Sequence, residues 1–325
     1  MSHYLLTGAA GFIAARTGEM LLENGHTVFG VDNLNAAYDV RMKQHRLEKL
    51  QTYPGFTFRR MDIADKEAVL ALAEQAPFDA VINLAARAGV RASVENPWVY
   101  VDTNLTGTLN LLELSRRTGI PKFILASTSS IYGQNAPLPT PETADSSRPL
   151  QPYAASKKAA EAMAHAYHYL YGTDVSVVRF FTVYGPAGRP DMSVFRFIRW
   201  ISEGEPLHLN GDGSQSRGFT YVDDIARGVI LALRPVGYEI FNLGGHENVT
   251  IKGLIERIER IVGRTARIVE HPFPQADMKA NLADISKAGE TLGWEPTVSL
   301  DEGLRRTVAW YNANRAWAKE LSLNV

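Results

Sequence analysis

The residues able to carry chemistry cluster in two places, and the more telling is Tyr153-Ala-Ala-Ser-Lys157. On a helix, a spacing of four puts the phenol and the ammonium on one face. An ammonium beside a phenol favours the phenolate and draws the tyrosine pKa down from about 10 towards working pH. Tyr153 is then a general base for the proton of an alcohol. So short a motif recurs by chance, and two exposed residues on a helix are the alternative. This one follows Phe123-Ile-Leu-Ala-Ser127-Thr128-Ser129-Ser130, an apolar strand that runs into hydroxyls.

The second cluster is Gly8-Ala-Ala-Gly11-Phe12-Ile13-Ala14, set between a strand and a helix. Gly8 permits a tight turn, and Gly11 lets the backbone approach a pyrophosphate that the helix N-terminus favours. Ala14 stands where a small residue lets helix and strand pack closely. Asp32 ends the next strand, about twenty residues on, where an acid accepts from a ribose 2′-hydroxyl and repels a 2′-phosphate. NAD is therefore expected rather than NADP. A plain glycine turn followed by a capping aspartate is the alternative, but strand, glycines, helix, strand and acid stand in register. Asp62 either contacts the adenine or caps the helix near Lys66. Leu84-Ala85-Ala86 either lets a dinucleotide lie across strand ends or packs a core.

The elements that must hold these groups alternate. Strands are expected at Tyr4–Leu6, Thr27–Val31, Phe56–Met61, Ala80–Leu84, Phe123–Ala126 and Val175–Phe180. Helices are expected between them at Phe12–Asn24, Arg41–Gln51, Lys66–Gln75, Asn96–Arg117 and Tyr153–Tyr171. Such alternation builds a parallel sheet with helices on both faces. After Tyr184 the pattern changes. Helices near Val194–Glu203, Val222–Ala232, Ile251–Val262, Ser286–Leu292 and Leu300–Asn314 join short strands at Leu207–Asn210 and Glu239–Leu243. The fold class is α/β, with a smaller α/β C-terminal lobe. Residues 1–178 with about 217–247 make the dinucleotide-binding domain, and about 179–216 with 248–325 make the lobe.

The totals narrow the partners. The 325 residues carry a formal net charge of −1, so nothing global favours nucleic acid or an anionic membrane. No cysteine is present, which removes disulfides, thiolate zinc sites and cysteine nucleophiles. No histidine has a ligand set around it, so no metal is assigned. No run approaches the ~18 apolar residues of a spanning helix. Met1–Thr7 leads straight into the glycine turn without a targeting pattern, and a cytoplasmic location is expected.

Taken together, TGAAGFI (Thr7–Ile13), DN (Asp32–Asn33), LAARAGVRASVENP (Leu84–Pro97), STSSIYG (Ser127–Gly133), YAASK, RFFTVYGP (Arg179–Pro186) and RGFTYVDDIARG (Arg217–Gly228) closely resemble the extended short-chain dehydrogenase/reductases over essentially the whole chain. The resemblance implies a Rossmann-type doubly wound sheet with a sugar-nucleotide lobe, NAD as cofactor and a UDP-sugar as substrate. It also implies a homodimer packed through the helices around 96–117 and 153–171. Thr128, Tyr153 and Lys157 would be catalytic. Gly8, Gly11, Phe12, Ile13, Asp32, Asn33, Asp62, Ile63, Leu84, Ala85, Ala86, Asn104 and Phe180 would join the latter two around the cofactor.

Members of this family that eliminate water carry an Asp-Glu pair after the threonine, and those that decarboxylate carry a glutamate where Ser130 stands. Ser129 and Ser130 here resemble the 4-epimerases, which oxidise the sugar at C4, turn it and reduce it again. Thr182 and Arg189-Pro-Asp-Met192, with Asp32–Leu50, resemble the UDP-glucuronate 4-epimerases in particular. Arg189 suits bidentate capture of the sugar carboxylate, with a surface arginine as the alternative. Arg91 is a second candidate, unless it packs against the cofactor loop. Ser129 and Thr182 would face the sugar, Arg217 the pyrophosphate and Asp277 the uridine ribose. Pro274 replaces the arginine or glutamine that usually precedes that aspartate. Epimerisation of UDP-glucose or UDP-N-acetylglucosamine stays open, as does a nucleotide-sugar 4-reductase or dehydrogenase built on the same triad.

Overall fold

Tyr4 and Leu6 face one side of the first strand and Leu5 the other, and all three are buried. A strand covered on both faces reads as a continuous apolar run, and the inner strands of the same sheet repeat this. The computed structural model describes residues 1–245, 247–273 and 278–323. Among these the strands are β1 (His3–Thr7), β2 (Thr27–Asp32), β3 (Phe56–Arg60), β4 (Ala80–Asn83), β5 (Lys122–Thr128), β6 (Asp174–Phe180) and β7 (Thr182–Tyr184). After them come β8 (Pro206–Asn210), β9 (Ser216–Tyr221), β10 (Tyr238–Leu243), β11 (Asn248–Thr250), β12 (Arg267–His271) and β13 (Ala280–Asn281).

Seven strands form a parallel sheet in the order β10-β6-β5-β4-β1-β2-β3. Helices Phe12–Glu23, Val222–Leu231 and Ser286–Leu292 bury Ala14, Leu21, Ile225, Val229 and Leu292 on one face. Helices Lys66–Leu70, Gly107–Thr118 and Pro152–Tyr171 bury Val69, Leu111, Leu112, Ala160 and Ala164 on the other. The strand order reverses between β1 and β4. In a doubly wound sheet the crevice beyond the carboxyl ends at that point is where ligands bind.

The expected helix at Asn96–Arg117 is broken. Trp98–Tyr100 is one helical turn, Val101–Thr106 is π-helical, and Gly107–Thr118 is α. At Gly107 an added Cβ would stand 2.6 Å from the Ile63 side chain, so the helix and the loop after β3 meet where only a glycine fits.

The lobe is built around β9. It pairs in parallel with β7 and β13 and antiparallel with β11. Helices Ser193–Glu203, Ile251–Val262 and Leu300–Ala313 close its core over Phe195, Ile198, Leu254, Ile258, Leu304 and Val308. The chain returns to the main sheet after Tyr221, through helix Val222–Leu231 and β10. Five strands, β7, β9, β11, β12 and β13, are absent from the sequence-based assignment. β7, β11 and β13 are short, β9 carries Arg217 and Gly218, and β12 is exposed throughout. No described helix is long and apolar enough to cross a membrane.

Candidate active site

Because the sheet is parallel, Thr7, Asp32, Asn83, Thr128 and Phe180 all emerge on one edge. A cleft of about 480 Å³ runs along it, a size typical of ligand sites (roughly 300–1,000 Å³). One end is the glycine turn. Gly8 has φ +69°, and a Cβ there would lie 2.8 Å from the Ala85 Cα, so a side chain is excluded twice over. The Gly11 N–H donates to the Gly8 carbonyl at 2.7 Å. Phe12, Ile13, Ile63, Leu84, Ala85, Ala86 and Phe180 line the same cleft.

Asp32 is 8% exposed on the cleft wall. One carboxylate oxygen accepts from the Ala10 N–H at 3.2 Å and the other from the Leu34 N–H at 2.7 Å. Each keeps lone pairs for a ribose hydroxyl. Asp62 accepts from the Asn33 amide at 2.7 Å and from the Ala64 N–H at 2.9 Å, and it lines the cleft. The helix at Lys66 is capped by Asp65 instead, which accepts from the Ala68 N–H at 3.1 Å. Asn104 stands apart from these. It is fully buried, exchanging bonds with both the Arg87 N–H and carbonyl and donating to the Ser156 hydroxyl at 2.9 Å. It ties the loop after β4 to the helix of Tyr153 and does not line the cleft.

At the other end Thr128 closes β5. Its hydroxyl accepts from the Ser130 N–H and donates to the Ser130 hydroxyl, both at 3.2 Å, and it faces the Tyr153 phenol closely enough to lower its pKa. Lys157, 2% exposed, donates to the Ala126 carbonyl at 2.9 Å. Burial pushes its ammonium down to about 8 against the opposing charge of Glu161. The sequence-based expectation for Tyr153 is reversed here. Burial raises its pKa, outweighing the Thr128 hydrogen bond and the charge of Arg189, which both lower it. Lys157 is turned to a backbone carbonyl rather than acting as the phenol's counter-charge.

A buried network fixes this helix against the sheet. Arg179 of β6 forks onto Glu161 at 2.9 and 2.7 Å, with both side chains 2% exposed. Ser127 donates to the same carboxylate at 2.6 Å, and Arg179 donates to the Tyr132 hydroxyl at 2.8 Å. Glu161 lies one turn beyond Lys157, so the pair sets the height of the Tyr153 face over β5.

The lobe closes the cleft. Ser129 accepts from the Asn281 amide at 2.9 Å, and half-buried Thr182 lines the wall. Arg189 forks onto Asp191 through Nε at 3.1 Å and Nη2 at 2.6 Å, and its guanidinium lies 5.1 Å from the centre of the Tyr38 ring. Burial opposes its charge, but Asp191 outweighs that and holds it more basic than usual. Arg217 lines the cleft and donates to the Ser216 and Met278 carbonyls. Arg91 is exposed on helix Val90–Glu95 and is not part of the lining. Asp277 and Pro274 lie outside the described residues.

Sequence reasoning missed Asn35, Tyr38, Lys43 and Asn281, all of which line the cleft. A signal exists for Lys43. In helix Val40–Gln51 the buried positions Met42, Lys43, Arg46, Leu47 and Leu50 follow helical spacing, so two cations stand on an apolar face.

The model of the NAD dependent epimerase/dehydratase family matches residues 4–244. The chain belongs to this family. It is 55% identical over 324 residues to a UDP-glucuronate 4-epimerase of Thermodesulfobacterium geofontis, covering 99% of this chain and all of that one. It is 39% identical to a probable UDP-glucuronate 4-epimerase of Rhizobium meliloti, covering 96% of this chain and 97% of the relative. Among solved structures, the UDP-glucuronic acid 4-epimerase of Bacillus cereus in complex with UDP-glucuronic acid and NAD superposes with a TM-score of 0.90 at 36% identity, covering 96% and 99% of the two chains. The UDP-glucose 4-epimerase of Thermotoga maritima with UDP-glucose gives 0.89 at 34%, with the same coverage.

Proposed function

We propose that the chain catalyses NAD-dependent epimerisation of UDP-glucuronate at C4, giving UDP-galacturonate. The observation that carries this reading is the Thr128–Tyr153 pair, at the opposite end of one cleft from Asp32 and the Gly8 turn, with serines at 129 and 130 where an eliminating enzyme needs acids.

NAD, held by the glycine turn, Asp32, Asn33 and Asp62, supplies a hydride acceptor that later returns the hydride. The residues of this chain handle the proton and the geometry. Tyr153 accepts the C4 hydroxyl proton, and Thr128, beside the phenol, holds the same oxygen and relays the proton. Burial raises the pKa of Tyr153, so the phenol alone is a reluctant donor; the charges that favour the phenolate are that of Arg189 and that of an oxidised nicotinamide when NAD is bound. With no acid at 129 or 130, the 4-ketone is not carried on to elimination. It turns within the cleft and is reduced from its other face.

Arg189 supports glucuronate over glucose. Its Nη1 carries no hydrogen bond to the described residues, so one edge of the fork stays open for a substrate carboxylate while Asp191 holds the other. The exposed apolar residues Val94, Trp98 and Val101, 62%, 76% and 42% exposed, support a homodimer paired through this segment. The function is tested by incubating the purified protein with UDP-glucuronate, UDP-glucose and UDP-N-acetylglucosamine, without added NAD, and reading products by NMR. UDP-galacturonate from UDP-glucuronate is expected. Stoichiometric release of NADH would make the protein a dehydrogenase instead.

A further inference from the structure

Arg46 is 4% exposed, yet no ion pair joins it to a carboxylate among the described residues. A buried charge is tolerated only where hydrogen bonds hold it. Here its Nε and Nη2 both donate to the Ala187 carbonyl, at 2.9 and 2.6 Å. Its Nη1 donates to the Ala10 carbonyl at 3.1 Å and to the Tyr38 hydroxyl at 2.8 Å. Ala10 belongs to the glycine turn at the cofactor end. Ala187 lies two residues before Arg189 in the substrate loop and has φ +52°, a left-handed conformation that is strained for a non-glycine residue. Tyr38 meets two guanidiniums, with Arg46 at 5.6 Å and Arg189 at 5.1 Å from its ring centre. One buried side chain thus touches the turn that cradles the cofactor, the strained turn before Arg189, and the ring on which Arg189 rests.

We propose that Arg46 is a positioning residue that couples the cofactor turn to the substrate loop, so that a bound UDP-sugar slows the loss of NAD. The coupling suits an epimerase, which must keep its cofactor through a reaction without net redox change. It deepens the proposed function and rests on that reading's account of Arg189 only for the preference between sugars. Substrate fixes the Arg189 loop, the loop fixes Ala187, and Arg46 carries the constraint to Ala10. By reciprocity, whatever factor the sugar nucleotide adds to the equilibrium affinity for NAD, NAD adds to the affinity for the sugar nucleotide.

The test follows NAD loss from the holoenzyme into an NAD-hydrolysing trap, alone and with saturating UDP-glucuronate or UDP-glucose. The wild-type protein should lose NAD more slowly with UDP-glucuronate, within the ~5- to 150-fold range typical of coupled sites. In Arg46→Met the ratio should fall to roughly twofold or less, because the aliphatic stem remains and every donor is gone. Arg46→Lys should be intermediate, since a point ammonium does not span three acceptors, and it carries the test should Arg46→Met fail to fold. Faster NAD loss with an unchanged substrate ratio would overturn the proposal, as Arg46 would then only support the glycine turn. Absence of any substrate effect in the wild type would also overturn it. Equal ratios for the two sugars in the wild type, both lost in the variant, would uphold the coupling and reject Arg189 as the carboxylate reader.

Discussion

Removing Arg189 separates the sugar acid from the neutral sugar. The guanidinium side chain is 16% exposed and already forked onto Asp191, so a substrate carboxylate meets its open edge in a largely dehydrated wall. Truncating one partner of a buried charge pair costs about 2–5 kcal/mol. Partial exposure and sharing with Asp191 put this case at the low end, about 2–3 kcal/mol, or roughly 30- to 150-fold in kcat/KM for UDP-glucuronate. UDP-glucose has no carboxylate and should change by less than about threefold, within the 0.5 kcal/mol of a change that removes no substrate contact. The assay is kcat/KM for both sugars on wild type and Arg189→Ala, with product mass recorded. A β-keto acid freed from its clamp should also shed some carbon dioxide and appear as a UDP-pentose. The orphaned Asp191 confounds the single variant, because its charge then repels the substrate. The double variant Arg189→Ala/Asp191→Asn removes that repulsion. Full recovery of UDP-glucuronate turnover in the double variant would refute direct capture and leave Arg189 only neutralising Asp191. Equal losses on both sugars would refute it as well.

Tyr153→Phe should lower turnover on the order of a hundredfold or more, while the NAD content of the purified protein stays unchanged, because the ring keeps its edge contact with Tyr100. Asp32→Ala should weaken NAD and narrow the gap to NADP in equilibrium binding, since it leaves the buried Lys43 ammonium, now 3.9 Å from that carboxylate, without its acid; a wild type that already prefers NADP would contradict the assignment. Lys157 gives a pH signature in cofactor-free protein. Burial holds it near 8, so between about 8 and its ordinary 10.5 the unfolded chain keeps a proton that the folded one has released, and stability rises with pH across that window. The gain is about 3 kcal/mol, and Lys157→Met should lack it; a wild-type-minus-variant stability difference that stays flat from pH 7 to 10.5 would count against a buried, destabilised ammonium.

The main sheet was legible because its inner strands are buried on both faces, and runs such as Phe123–Leu125 advertise that without tertiary information. The glycine turn was legible for a local reason: a backbone that must take φ +69° beside Ala85 admits only glycine, and the sequence shows it. The lobe strands were not legible. β9 is stabilised by three partners drawn from distant parts of the chain, and its Ser216-Arg217-Gly218 start has no strand character of its own. The helix near residue 100 was misjudged because nothing in the periodicity of Asn96–Arg117 marks the π-helical stretch Val101–Thr106 that divides it. The pair Tyr153 and Lys157 could be found, but not the sense of the phenol's shift, because spacing does not reveal that the ammonium is committed to Ala126. Arg91 and Asn104 fit family motifs by position, yet one is exposed and the other consumed inside the wall.

The placement of β10 bears on how the chain is made. It is the outermost strand of the main sheet, pairing with β6 from Val175 to Phe180, but it is synthesised only after most of the lobe's first half. A chain growing on the ribosome therefore presents the outer edge of β6, an open row of N–H and C=O groups, until Leu243 has emerged. At about 5–20 residues per second that interval lasts roughly three to twelve seconds, and an unpaired apolar edge is a template for pairing with other chains. Slowing translation between Phe180 and Leu243 should cost soluble yield while leaving the stability of the finished protein untouched.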